Sequence, residues 1–133
     1  MKIIGIIGTR KRNMLKDFQK TKDKFFEIYE EGDWICSGGC KKGGDRFANE
    51  IAEKEGIPIL TFYPNYKRYS RGAPFVRNTK VAQTSHVVIA CVVKPEERLE
   101  EVLKRKTGGT EDTIRKHVKF IEENGGVPEI YLV

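Results

Sequence analysis

The sequence predicts an α/β chain, a three-layer doubly wound fold with a mostly parallel sheet of about five strands flanked by helices. Three observations carry that prediction. Short β-branched runs alternate with longer stretches of helical periodicity from one end of the chain to the other. The run Val87 to Val93 is apolar on both faces, as an inner parallel strand covered by helices must be. Glycine-rich turns stand where strands give way to helices, and such units connect through right-handed crossovers.

Lys2 to Ile7 is a short β-branched run bounded by glycine and predicts the first strand. After a turn at Gly8-Thr9-Arg10, Met14, Phe18, Phe25 and Tyr29 share one face of a first helix, with Gly32 as its stop. Trp34 to Ser37 predicts the second strand. It runs into Gly38 to Gly44, where four glycines in seven residues forbid regular structure. A second helix begins near Asp45, buries Phe47, Ala48, Ile51 and Ala52, and ends at Gly56. Pro58 to Tyr63 predicts strand three, with proline first, where a missing donor is tolerated.

Pro64 to Ala73 reads as a polar, tyrosine-rich connection. Pro74 at the first helical position then starts a short helix through Phe75, Val76, Val81 and Ala82. Val87 to Val93 is strand four, and Pro95 to Lys106 is a charged stretch with helical character. The last helix runs from Thr110 to about Asn124 with Ile114, Val118 and Ile121 inward, and Glu129 to Val133 supplies a terminal strand.

Composition agrees with one domain over residues 1–133, since single cores run to about 100–150 residues. Hydrophobic residues are 38% and charged residues 33%, so disorder is not expected. The apolar start is broken by Gly8 and Arg10-Lys11-Arg12, which argues against a secretory leader. No run approaches the roughly 20 residues of a bilayer span, so the expectation is a cytoplasmic protein without membrane attachment. Cys36 and Cys40 are three residues apart, Cys91 is distant, and His86 and His117 lie elsewhere, so neither a disulfide framework nor a metal site is expected.

The net charge of +6 is unevenly placed. Seven basic residues face two acids between Arg10 and Lys24, and five face none between Pro64 and Lys80. The first group falls mostly on a helix and suits a solvated face.

In doubly wound sheets ligands bind outside the carboxyl ends of the strands, near the point where strand order reverses. That selects four loops: Gly8 to Arg12, Ser37 to Asp45, Pro64 to Asn78, and Thr107 to Asp112. Ser37-Gly38-Gly39, followed by Gly43-Gly44 before a helix, lets backbone N–H groups converge on an anion. Gly108-Gly109-Thr110 has the same logic, with the threonine hydroxyl as N-cap. Glu111 and Asp112 in the first turn already satisfy the helix dipole, which favours a ribose hydroxyl or a singly charged guest there. Arg10 and Arg77, the latter beside Asn78, supply forked donors for phosphate or carboxylate if they converge on one crevice.

The succession Gly8-Thr9-Arg10, Ser37-Gly38-Gly39 with Gly44-Asp45-Arg46, Arg77-Asn78, and Gly109-Thr110 with Thr113-Ile114 resembles the SLOG superfamily of Rossmann-like domains. That superfamily includes the YspA-like proteins, the DprA/Smf DNA-processing proteins and the lonely-guy phosphoribohydrolases. The resemblance spans Ile4 to about Gly126 in four ordered motifs. It implies a nucleotide or nucleotide-derived ligand between the two glycine turns. Gly38, Gly39, Gly109 and Thr110 would then lie at the ligand, with Arg77 on its anionic group and Asp45 as the cap of the second helix. No cofactor is required.

The phosphoribohydrolases carry a glutamate three residues after the threonine of their Gly-Thr turn, where this chain has Thr113. Their second carboxylate falls on Lys116. A hydroxyl cannot balance developing oxocarbenium charge, so cleavage would have to use Glu111 or Asp112. Three readings stand open. One is a nucleotide-binding sensor or carrier domain, and another is an enzyme processing N-glycosidic bonds of nucleoside monophosphates. The third is a single-stranded DNA-binding module using Tyr66, Arg68, Tyr69 and Arg71. Relatives often pair through helices beside the site, which would put Tyr63, Tyr66 and Tyr69 at a contact between copies.

Overall fold

The structure, a computed structural model, describes residues 1–133. In chain order its elements are β1 (Ile3–Gly8), α1 (Leu15–Ile28), β2 (Trp34–Ser37), α2 (Gly44–Glu55), β3 (Ile59–Thr61), α3 (Tyr66–Tyr69), a 3₁₀ turn (Ser70–Gly72), α4 (Ala73–Thr84), β4 (Val87–Cys91), α5 (Leu99–Leu103), α6 (Gly109–Glu123) and β5 (Ile130–Leu132). The five strands form one sheet in the order β3-β2-β1-β4-β5, and every pair is parallel. The α/β, Rossmann-like three-layer architecture expected from the sequence is therefore what the chain adopts.

Helices cover both faces, and the alternation of side chains along β1 divides the core in two. Ile4 and Ile6 point into a layer with Phe18 and Phe25 of α1 and Phe47, Ala48 and Ile51 of α2. Ile7 points the other way, into a layer with Val81 of α4, Val102 of α5 and Ile114 of α6. All five residues of β4 are buried, as its two-sided apolar character requires. Strand order reverses between β1 and β4, so the chain's crevice opens above their carboxyl ends. No helix is long and apolar enough to cross a membrane.

Local differences from the sequence expectation have local causes. Met14 is not on the inward face of α1; it is the N-cap residue, 64% exposed, and its N–H donates to Asp17 Oδ2 at 3.1 Å. The tyrosine-rich connection contains α3, because Asn65 accepts from the Arg68 N–H at 3.1 Å and closes one helical turn. Pro74 lies one residue inside α4, since the preceding 3₁₀ turn leads into the helix at Ala73. The pairing of β4 stops at Cys91, and Val93 is exposed.

Arg12 belongs to the frame. Its Nε donates to Asp17 Oδ1 at 2.9 Å, and its Nη1 donates to Val92 O at 2.8 Å and to Val133 O. The half-buried guanidinium thereby ties the ends of β4 and β5 to the start of α1. At the other end of the sheet Asp33, 2% exposed, accepts from Lys2 N and Glu30 N, both at 2.9 Å, and from Lys2 Nζ at 2.6 Å.

Candidate functional site

All four loops selected from the sequence, the third through the α4 residues at its end, surround a cleft of about 800 Å³ above β1, β2 and β4. Gly8, Thr9 and Arg10 come from the end of β1, Gly38 from the loop after β2, and Asp45 from the first turn of α2. Arg77 and Asn78 come from α4, and Gly108 to Asp112 from the start of α6. The two glycine turns, 70 residues apart from Gly38 to Gly108, are thus at the same end of the sheet and on the same cleft.

Arg77 and Asn78 join them directly. Arg77 Nη1 donates to Gly38 O and its Nε to Asn78 Oδ1 at 2.9 Å. Asn78 is 5% exposed, and its Nδ2 donates to Asp112 Oδ2 at 3.1 Å and Gly109 O at 3.4 Å. Arg77 therefore spends two donors on the frame and keeps Nη2 free at the cleft.

Asp45 is not the cap of α2. Gly43 holds that position, and the Asp45 carboxylate accepts instead from Gly38 N at 3.2 Å and Cys40 N at 3.0 Å. Its two oxygens are taken by these loop amides, which have no other acceptor in the chain. Burial pushes the Asp45 carboxyl above its ordinary range. The N–H donors of Cys40 and Gly38, with Arg77 at 3.9 Å and Arg10, oppose that rise without cancelling it. Two of the amides expected to greet an anion at the Ser-Gly-Gly turn are thus already used.

The other predicted residues of this turn serve packing. Ser37 is fully buried at the end of β2, its hydroxyl unpartnered, and does not line the cleft. Gly39 lies under the Tyr63 ring, with Thr61 beside it. Gly44 presses the start of α2 onto β1, so closely that a Cβ there would overlap the Ile7 carbonyl carbon and the Gly8 nitrogen.

The α6 turn is open. Its N-cap is Gly108 rather than Thr110, because the turn needs φ of +102°, a region costly for a β-branched residue. The N–H groups of Gly109, Thr110 and Glu111 have no partner in the chain, and nothing lies within 4 Å of where a Gly109 Cβ would stand. Thr113 Oγ1 donates to Gly109 O at 3.0 Å, so its proton is committed to the helix backbone. Asp112 is neutralised by Lys116 Nζ at 2.9 Å and Arg115 at 3.7 Å. Glu111 is 7% exposed on the cleft wall, with Arg105 at 3.8 Å as its nearest cation.

Sequence reasoning assigned Phe75 only to a helix. It lines the cleft as its one aromatic ring, 55% exposed, with Lys116 Nζ 5.7 Å from the ring centre. The signal available was its place right after the proline of a helix that starts at the strands' carboxyl ends. Lys41 and Lys42 were also missed; with Arg10, Lys11 and Cys40 they line a smaller adjoining lobe of about 480 Å³. Tyr66, Arg68, Tyr69 and Arg71 stand outside the cleft, and the Arg68 guanidinium covers the ring of its neighbour Tyr69 at 5.2 Å. Cys36 and Cys91 are buried, and burial pushes the Cys36 thiol up to about 12, so it is inert.

No family model matches the chain, and neither a curated protein nor a solved structure matches it significantly.

Proposed function

We propose that the chain binds a nucleotide or nucleotide-derived anion in this cleft, as a sensor or carrier domain of the SLOG type. The observation that carries the reading is the meeting of both glycine turns on one crevice at the reversal of strand order, bridged by Arg77 and Asn78. The cleft wall holds six cations against three acids, which favours an anionic guest. The roles differ along its length. The open amides of α6 and the Glu111 carboxylate suit the hydroxyls of a sugar, and the Phe75 ring suits the face of a base. Arg10 and Lys11, which have no acidic partner in the chain, suit the phosphate together with Nη2 of Arg77.

Thermal unfolding against a panel of nucleotides and sugar phosphates tests this. A ligand at 100 times its Kd adds about 2.7 kcal/mol. For a chain of this size that raises Tm by on the order of 10 °C. If no compound in the panel moves the transition, the reading falls.

One observation favours a second reading, cleavage of an N-glycosidic bond: Glu111 is a buried carboxylate on the cleft wall with no cation closer than 3.8 Å. Release of free base that disappears in Glu111→Gln supports it. Release unchanged in that variant, or none in the wild type, dismisses it.

A further inference from the structure

The smaller lobe differs from the main cleft in one respect. Within the main cleft three of the six cations are already committed: Arg77 to Gly38 O and Asn78, Arg105 to Glu97, and Arg115 to Arg105 O. In the lobe Arg10, Lys11, Lys41 and Lys42 converge with no carboxylate among the lining residues, and none of the four forms an ion pair elsewhere in the chain. Four unpaired like charges around one hollow repel one another, and a polyanion relieves that repulsion.

The backbone presenting them is held at three points. Asp45 Oδ2 takes the Cys40 N–H at 3.0 Å, and Asn13 Oδ1 takes the Gly43 N–H at 2.8 Å. Thr9 Oγ1 accepts from Lys11 N at 3.3 Å. These bonds fix the backbone from which the lysine side chains project. Arg10, Lys11 and Cys40 line both hollows, so the lobe continues the cleft on its phosphate side.

We propose that this lobe is a second anion subsite, which receives the distal phosphate of a nucleoside di- or triphosphate whose sugar and proximal phosphate occupy the main cleft. The inference rests on the nucleotide reading above and narrows it to ligands with at least two linked phosphates. Lys41 and Lys42 reach only the distal group, whereas Arg10 and Lys11 face both.

Calorimetric titration of a matched nucleoside mono-, di- and triphosphate into the wild type and Lys41→Gln/Lys42→Gln separates the steps. Both lysines are exposed, so the variant keeps the wild-type fold, and with two of the four repelling charges gone its Tm is equal to the wild type's or slightly higher. The expected result is a gain of about tenfold from mono- to diphosphate in the wild type, erased in the variant, with monophosphate affinity the same within about twofold. Monophosphate binding without a gain on adding the second phosphate overturns the subsite and leaves the nucleotide reading intact. A gain that survives in the variant overturns it too. So does inorganic tripolyphosphate that shows the same lysine-dependent affinity yet does not compete with the diphosphate, because the lobe would then be separate from the cleft. Absence of binding by all three nucleotides removes both proposals together.

Discussion

Gly44 and Gly109 stand at the first position of α2 and of α6, and the same substitution to alanine separates packing from ligand contact. At Gly44 the new Cβ would overlap main-chain atoms of Ile7 and Gly8, with Gly44 itself pinned between α2 and β1. Backbone on both sides cannot yield by changing rotamer, so the helix must lift off the sheet. Overpacking of a flexible core costs about 1–3 kcal/mol, and a backbone clash lies at the upper end, so about 3 kcal/mol is expected for Gly44→Ala. At roughly 3 °C per kcal/mol that lowers Tm by on the order of 10 °C.

At Gly109 the Cβ enters open space. Alanine is the better helix former by up to about 1 kcal/mol, so Gly109→Ala leaves Tm unchanged or slightly raised. Its methyl group, however, stands among the unpartnered amides of α6, and a nucleotide held there loses at least about tenfold in affinity. Thermal unfolding and titration with the best nucleotide of the screen read both quantities. Wild-type affinity in a stable Gly109→Ala would refute the placement of the guest against α6. Wild-type stability in Gly44→Ala would refute the contact between α2 and β1.

The two arginines of the first loop should part in the same assays. Arg12→Gln removes the bond to Asp17 and the links to the ends of β4 and β5, for a loss of about 3 kcal/mol in urea unfolding, while nucleotide affinity at saturating fold stays as it was. Arg10→Ala should do the reverse, weakening the nucleotide about tenfold with Tm nearly unmoved, because the Arg10 side chain makes no hydrogen bond or ion pair in the chain and acts on Asp45 only at longer range. Asp33 sets part of the acid limit. Burial raises its carboxyl, but the bonds from Lys2 and Glu30 outweigh burial and hold it below the ordinary 3.8. Its stabilisation is therefore present above about pH 4 and is lost as pH falls through the depressed value. Asp33→Asn should be less stable at pH 7 by about 2 kcal/mol and show a flatter decline below pH 4; a stability difference from the wild type that is the same at pH 7 and pH 3 in urea unfolding would contradict this.

The fold was legible because its signals are local and redundant. Each of β1, β2 and β4 is an apolar run closed by a glycine, a serine or a charged segment, and the stop of α2 at Gly56 is a left-handed residue that the sequence marks. What escaped was single-residue geometry. One side-chain bond from Asn65 makes a helical turn out of a polar segment, and neither periodicity nor composition registers it. The caps moved for a related reason: Gly43 and Gly108 both adopt positive φ just before a helix, so each helix starts earlier than its first polar side chain suggests.

The site was legible as a set of loops but not as a division of labour among them. A glycine run before a helix offers amides to whatever acceptor comes first, and in the loop after β2 that acceptor is the chain's own Asp45, taking the N–H groups of Gly38 and Cys40. An acid five residues beyond Cys40, one position inside the helix, is the feature of the sequence that could have revealed this. With those two amides used, open donors remain in the first turns of α2 and α6 and on cations without acids, among them Arg10, Lys11, Lys41 and Lys42. A phosphate gains most where donors have not already been satisfied. The anionic end of a guest should therefore lie over the β1 loop and the lysines beyond it, and the Ser-Gly-Gly turn should act through Asp45 as the fixed wall that keeps those lysines in place.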